Sequence, residues 1–98
     1  MYKLGNLSFE WDEDKNEKNQ KKHGLSFERA CEIFLDVFIL TEIDERFPYE
    51  ETREISIGSI AELGLVIIVA HTDRNGNVRI ISARKANKKE RMRYEIQV

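Results

Sequence analysis

Asn75-Gly76 stands between two runs of strand-forming residues, 65–72 and 78–84, and nothing else in the chain constrains its fold as tightly. A two-residue type I′ turn needs positive φ at both central positions, and Asn-Gly meets that demand well, so the two runs are expected to pair as a β-hairpin. The first run is apolar on both faces for six residues, as in a central strand. Two further strand patterns precede it. Residues 37–43 are β-branched and apolar, and residues 53–60 alternate, with Ile55 and Ile57 on one side and Glu54 and Ser56 on the other. Residues 61–64 read as a turn, and residues 44–52 as an acidic loop holding the sole proline, Pro48. Four strands joined by short connections argue for an antiparallel meander.

Upstream the pattern changes. Residues 8–11 alternate polar and apolar and suit a short strand. Residues 12–23, DEDKNEKNQKKH, are rich in helix formers; Asp12 suits the N-cap, Lys21, Lys22 and His23 the last turn, and Gly24 the left-handed position beyond it. No apolar residue lies between Trp11 and Gly24, so a buried stripe cannot hold this helix, and it is expected to lie across the surface or face a partner. The next helix is the opposite case: Ser26 caps it, Phe27, Ala30, Cys31 and Phe34 fall at i, i+3, i+4 and i+7, and Ile33 widens the stripe. Cys31 on that stripe reads as a small buried residue and Trp11 as part of the core. Asn87 caps a last helix, with Glu90 at capping-box spacing. The expectation is one α+β domain over residues 1–98, its N-terminal helices packed on a four-stranded antiparallel sheet and followed by a C-terminal helix.

Several functional classes drop out. The longest strongly apolar run, residues 63–70, is far short of the roughly 20 residues of a membrane span. The first six residues lack the apolar core of a signal peptide, and a single cysteine fits a reducing compartment, so the expected location is the cytoplasm. His23, Cys31 and His71 show no metal-ligand spacing, and no Gly-rich phosphate loop is present, so neither a metal nor another cofactor is expected.

Charge is uneven along the chain. Residues 31–62 carry two basic side chains against nine carboxylates, net −7, whereas residues 63–98 carry eight against three, net +5. A basic C-terminal third suits contact with a polyanion, and it equally suits a solvated surface whose charges cancel across the fold. Arg74, Arg79, Arg84, Lys85, Lys88, Lys89, Arg91 and Arg93 form this basic set. Arginine presents a planar, permanently charged fork suited to phosphate oxygens. Strand parity places Arg79 and Arg84 on opposite faces, so both reach one ligand only if a bulge intervenes or the strand ends first. His71 shares the parity of Leu65, Ile67 and Val69, where a histidine is either a hydrogen-bonded structural residue or a general base. Tyr94 lies one turn after Glu90, either partly packed or donating to a phosphate.

These residues resemble those of a known family. Phe9-Glu10-Trp11-Asp12, Lys15, Asn19, Lys22-His23-Gly24, Ser26-Phe27, Ala30 and Phe34 look like the N-terminal signature of the BrnT toxins of bacterial type II toxin–antitoxin systems. Glu51-Thr52-Arg53, Ile57-Gly58, His71-Thr72, the run Arg79-Ile80-Ile81-Ser82-Ala83-Arg84-Lys85-Ala86, Glu90 and Tyr94 continue the likeness, which spans about residues 8–95. The resemblance implies a RelE-like fold and a metal-independent ribonuclease that arrests growth. It also implies neutralisation by a BrnA antitoxin, two toxins flanking an antitoxin dimer that alone binds promoter DNA. The implied chemistry is attack of a ribose 2′-hydroxyl on its own 3′-phosphate, with Arg79 and Arg84 as candidates for transition-state charge, His71 for acid or base and Tyr94 as a secondary donor. Lys15, Arg53, Arg74, Lys85 and Lys88 are the candidate RNA contacts. A non-catalytic RNA-binding or corepressor module and a pure protein-interaction domain are the competing readings.

Overall fold

The computed structural model describes residues 1–46 and 51–97. The chain begins with a hairpin of β1 (Tyr2–Leu4) and β2 (Leu7–Glu10), then helix α1 (Glu13–His23) and the short helix α2 (Phe27–Ala30), which tightens into a 3₁₀ turn over Cys31–Leu35. Strands β3 (Leu40–Ile43), β4 (Arg53–Ile60), β5 (Leu65–Arg74) and β6 (Asn77–Lys85) follow, and helix α3 (Lys88–Ile96) closes the chain. No helix among the described residues is long and apolar enough to cross a membrane. The expected acidic loop lies partly outside the described residues, at 47–50.

The fold is α+β, but its sheet has six strands in the order β1-β2-β6-β5-β4-β3, where four antiparallel strands were expected. The expected meander forms one side of it. The correction comes from β2, which pairs parallel with β6 through Phe9 opposite Val78 and Glu10 opposite Arg79, and brings β1 with it. Burial drives this pairing, because Phe9 is fully enclosed in the core between sheet and helices. Gly5, at φ 60°, turns the β1–β2 hairpin. The Asn75-Gly76 hairpin forms as its chemistry requires, with φ of 54° and 82°.

Helix α1 docks without an apolar residue. Asn16 and Asn19 are its buried side chains, and both serve backbone groups. Asn19 Nδ2 donates to the carbonyls of Leu25 (2.9 Å) and Ala83 (2.8 Å), while Asn19 Oδ1 accepts from Ala83 N (3.2 Å). One side-chain amide thus completes the β6 edge beyond the reach of β2, as a further strand would. Asn16 Oδ1 accepts from Phe27 N (2.8 Å) and joins α1 to α2. Trp11 packs edge-on against Phe27 at the margin of the core, with ring centroids 6.0 Å apart.

The second helix departs from its expected continuous α-period. After Ala30 the turn tightens, and Phe27, Ala30 and Ile33 become fully buried while Phe34 stays half-buried. A 3₁₀ turn brings i and i+3 into line, which selects Ile33 over Phe34 for the deepest position. Ile33 lies directly over Gly58 of β4. Strand β3 starts later than expected, because Asp36 accepts a hydrogen bond from Phe38 N (3.0 Å) and turns the chain there, leaving Val37 87% exposed. On the opposite sheet face a smaller cluster holds Ile57, Ile68 and Tyr94, so α3 covers one end of that face and leaves the other open.

Candidate functional site

The feature that builds the site is a bulge in β6. Ser82 lies opposite Ala70 but Ile80 lies opposite His71, so Ile81 is an extra residue without a partner on β5. An extra residue reverses the alternation of side chains beyond it. Arg79 and Arg84, which simple parity separates, consequently share the open face of the sheet. Three rows cross that face: Arg53, Thr72 and Arg79; Ile55, Ala70 and Ser82; Ile57, Ile68 and Arg84.

The arginines on this face are held by carboxylates. Arg79 Nη1 donates to Glu10 Oε2 on the neighbouring strand (2.8 Å), and Arg74 Nη2 to Glu51 Oε1 (2.6 Å). The hydrogen bond from Arg74, with the added positive charge of Arg79 and Arg53, holds the Glu51 carboxyl below the usual carboxylate range. Arg53, Arg74 and Arg79 therefore all lie near enough to Glu51 for their charge to be felt there. At the other end Glu90 takes Arg84 in a fork, Oε1 from Nη1 (2.8 Å) and Oε2 from Nη2 (2.9 Å). This hydrogen bond raises the Arg84 pKa and lowers that of Glu90. Glu90 also accepts from Asn87 N in the capping box of α3, so the helix terminus fixes the carboxylate that fixes Arg84. Lys85 O takes a second bond from Nη1 (3.2 Å). Among the described residues nothing takes the Nε–H or the second Nη2–H, which form the side-on edge of the guanidinium.

The other expected site residues do not converge here. His71 faces the helices, edge-on to Phe34 with centroids 5.1 Å apart, and its Nε2 is 2.7 Å from Ser56 Oγ, which in turn is 2.8 Å from Thr41 Oγ1. Burial pushes its pKa down to about 4. It is neutral at pH 7 and separated from the arginines by the sheet itself. Tyr94 packs on Ile57 and Ile68, and its hydroxyl donates to Asp36 Oδ2, which also accepts from Ser59 N. Burial and that bond push the tyrosine up to about 12. Burial alone would raise Asp36, but the bonds from Tyr94 and from the Phe38 and Ser59 amides outweigh it and leave its carboxyl low. Tyr94 is thereby a tether between α3 and β4. Lys15 is exposed on α1, Lys88 is exposed in the first turn of α3, and Lys85, opposite Ile67, projects from the helix side of the sheet. None of these lysines lies in the arginine rows.

Two residues of the open face escaped sequence reasoning. Arg46, bound to Asp44 through Nε (2.8 Å) and Nη2 (3.0 Å), lines a pocket with Ile55, Ile68, Ala70, Ser82 and Arg84. The acid-x-Arg spacing at 44–46 was its only local signal, inside a segment whose charge is mostly negative. Ser82 shares the parity of Arg84, and no charge or motif of its own marked it. Among the described residues no group of three or more His, Cys, Asp or Glu side chains is placed to hold a metal ion.

A comparison with curated proteins found no match. A protein-family model does match, over residues 11–90, and it describes a ribonuclease toxin, BrnT, of type II toxin–antitoxin systems. That span includes both buried asparagines of α1, the bulge and the Arg84–Glu90 pair, and it implies an RNA target and an antitoxin partner. With most of its length inside the match, the chain belongs to the BrnT family of type II toxin–antitoxin ribonuclease toxins.

Proposed function

We propose that this toxin cleaves RNA internally without a metal ion, by transesterification on the open sheet face, with Arg84 as the group that meets the scissile phosphate. The observation that carries this reading is the Arg84 fork: Glu90 fixes the guanidinium and leaves its side-on edge unoccupied. Such an edge suits two non-bridging phosphate oxygens, and its charge grows in value as the phosphorane-like transition state gains negative charge. The ribose O2′ attacks phosphorus, the bond to O5′ breaks, and the products are a 2′,3′-cyclic phosphate and a 5′-hydroxyl. O2′ loses one proton and O5′ gains one, both exchanged with solvent at this open surface.

Arg79 lies five residues back along β6, roughly 15 Å away at strand spacing. It therefore holds a different phosphate from Arg84, together with Arg53 and Arg74. His71 and Tyr94 serve the scaffold, because His71 Nε2 is engaged with Ser56 and the Tyr94 hydroxyl with Asp36. The resemblance over residues 8–95 supports a BrnA-type antitoxin in a two-plus-two assembly that reaches promoter DNA through the antitoxin, in the cytoplasm. The exposed apolar Val37 and Phe38, linked to the end of α3 by Gln97 Nε2 donating to Phe38 O, support a protein partner on that side.

The test is incubation of antitoxin-free protein with a long natural RNA in excess EDTA, with chemical typing of the new ends. New 2′,3′-cyclic phosphate ends are expected. Intact RNA with folded protein, both alone and with translating ribosomes, would refute the assignment.

A further inference from the structure

We propose that the flank of α1 bearing Lys15, Lys18 and Lys22 is a phosphate-binding strip that receives the RNA strand where it leaves the Arg84 end of the open face, an inference that rests on the ribonuclease reading above. Strand β2 pairs with β6 only at Val78 and Arg79. Beyond them α1 takes over the β6 edge, with Asn19 bonded to both backbone groups of Ala83, and Arg84 is the next residue. At about 100° per residue, the order of positions around the helix is Asn16, His23, Asn19, Lys15, Lys22, Lys18. Asn16 turns to Phe27 N of α2, on the helix side of the sheet, and Asn19 meets the sheet edge. Continuing the same way round, the lysines come to the other side of that edge, the side of the arginine rows.

The strip has charge to spare. Arg74, Arg79 and Arg84 are each held by a carboxylate, whereas Lys15, Lys18 and Lys22 are exposed. Among the described residues the ion pair within α1 joins Glu17 to Lys21 (3.2 Å), on the outward side of the helix. Of the other carboxylates here, Asp12 caps the first amides and Glu13 accepts from Trp11 Nε1, so Asp14 alone stands against three ammonium groups. A lysine is a point charge on a flexible stem that meets a phosphate without fixed geometry, so the strip adds affinity without base preference. The same surface suits a protein poorly. Protein interfaces are rich in aromatic residues and poor in lysine at their centres, and α1 offers no apolar residue at all.

The experiment is fluorescence anisotropy of antitoxin-free protein with a labelled, mixed-sequence 2′-O-methyl RNA oligomer, over a series of salt concentrations. This probe lacks the attacking hydroxyl and stays intact. Each phosphate contact on a single strand contributes about 0.7 to the slope of log K against log salt concentration. Lys15→Ala, Lys18→Ala and Lys22→Ala combined are therefore expected to flatten the slope by about 2 and to weaken binding about tenfold or more at low salt. Lys22→Ala alone is expected to flatten it by about 0.7, while Lys21→Ala, which removes the same charge from the Glu17 pair one residue away, leaves it unchanged. A thermal melt matching the parent's verifies the fold of the combined variant. A combined variant that binds like the parent, or equal losses for Lys21→Ala and Lys22→Ala, would overturn the strip. Loss of antitoxin binding in place of RNA binding would also overturn it and assign the flank to a protein. The titration does not depend on turnover: a lysine-dependent slope without RNA cleavage by the parent upholds the strip and sinks the chemistry, and cleavage with a slope indifferent to these lysines does the reverse.

Discussion

Replacing Asn19 by alanine removes the contact that fastens α1 to the sheet. Asn19 makes three hydrogen bonds, two to both backbone groups of Ala83 and one to Leu25 O, and the residue is 8% exposed. A net contribution of about 0.5–1.5 kcal/mol per bond, with the added cost of stranded buried backbone groups, gives a loss of about 3 kcal/mol. For a domain of this size each kcal/mol moves the melting temperature by about 4–8 °C, so a fall of roughly 12–24 °C is expected. Urea and thermal denaturation of the variant measure it, with Lys18→Ala on the exposed side of α1 as the control, expected within about 0.5 kcal/mol of the parent. A loss under 1 kcal/mol for Asn19→Ala would refute the view that polar docking holds this helix.

Three other perturbations follow from the geometry. At Gly58 an added Cβ would lie 2.7 Å from Ile33 Cβ and 3.1 Å from its carbonyl oxygen, so Gly58→Ala is expected to cost about 1–3 kcal/mol in urea denaturation. His71 has a folded pKa pushed by burial from 6.5 to about 4. The unfolded chain therefore takes up a proton in this window that the folded chain refuses. The contribution is complete above pH 6.5 and is lost as pH falls toward 4, by about 2–3 kcal/mol, and comparison of urea midpoints for the parent and His71→Gln isolates it. Burial, with Glu28 nearby, raises the Cys31 thiol to about 12. It is expected to resist a thiol reagent at mildly alkaline pH in the folded protein and to react fully in urea.

Features governed by neighbours in sequence were legible. The Asn75-Gly76 hairpin, the Asp12 and Ser26 caps, the Gly24 turn and the Asn87–Glu90 capping box all formed, because each depends on a few adjacent residues. The face of His71 was legible from strand parity, and what covers that face was not. The parallel pairing of β2 with β6 joins residues 69 positions apart, as in Glu10 and Arg79, and no local pattern encodes it. Gly5-Asn6 was a readable hairpin signal beside it. Asn16 and Asn19 look like surface residues until the unpaired β6 edge above them is seen. The arginines of the proposed site could be named from the sequence, but not their arrangement on the sheet. Its deciding feature, the bulge at Ile81, exists only in the mismatch between β5 and β6.

The most direct test of the arginine site is a comparison of Arg84→Ala and His71→Gln in RNA cleavage under EDTA, at matched concentrations of folded protein. Loss of one preorganised charge at the transition state is worth about 3–4 kcal/mol, so Arg84→Ala is expected to slow cleavage by about 10²–10³-fold. His71→Gln, buried on the other face, is expected to stay within a few-fold of the parent. Full activity of Arg84→Ala, with cleavage lost in folded His71→Gln, would contradict the account and move the chemistry to the opposite side of the sheet.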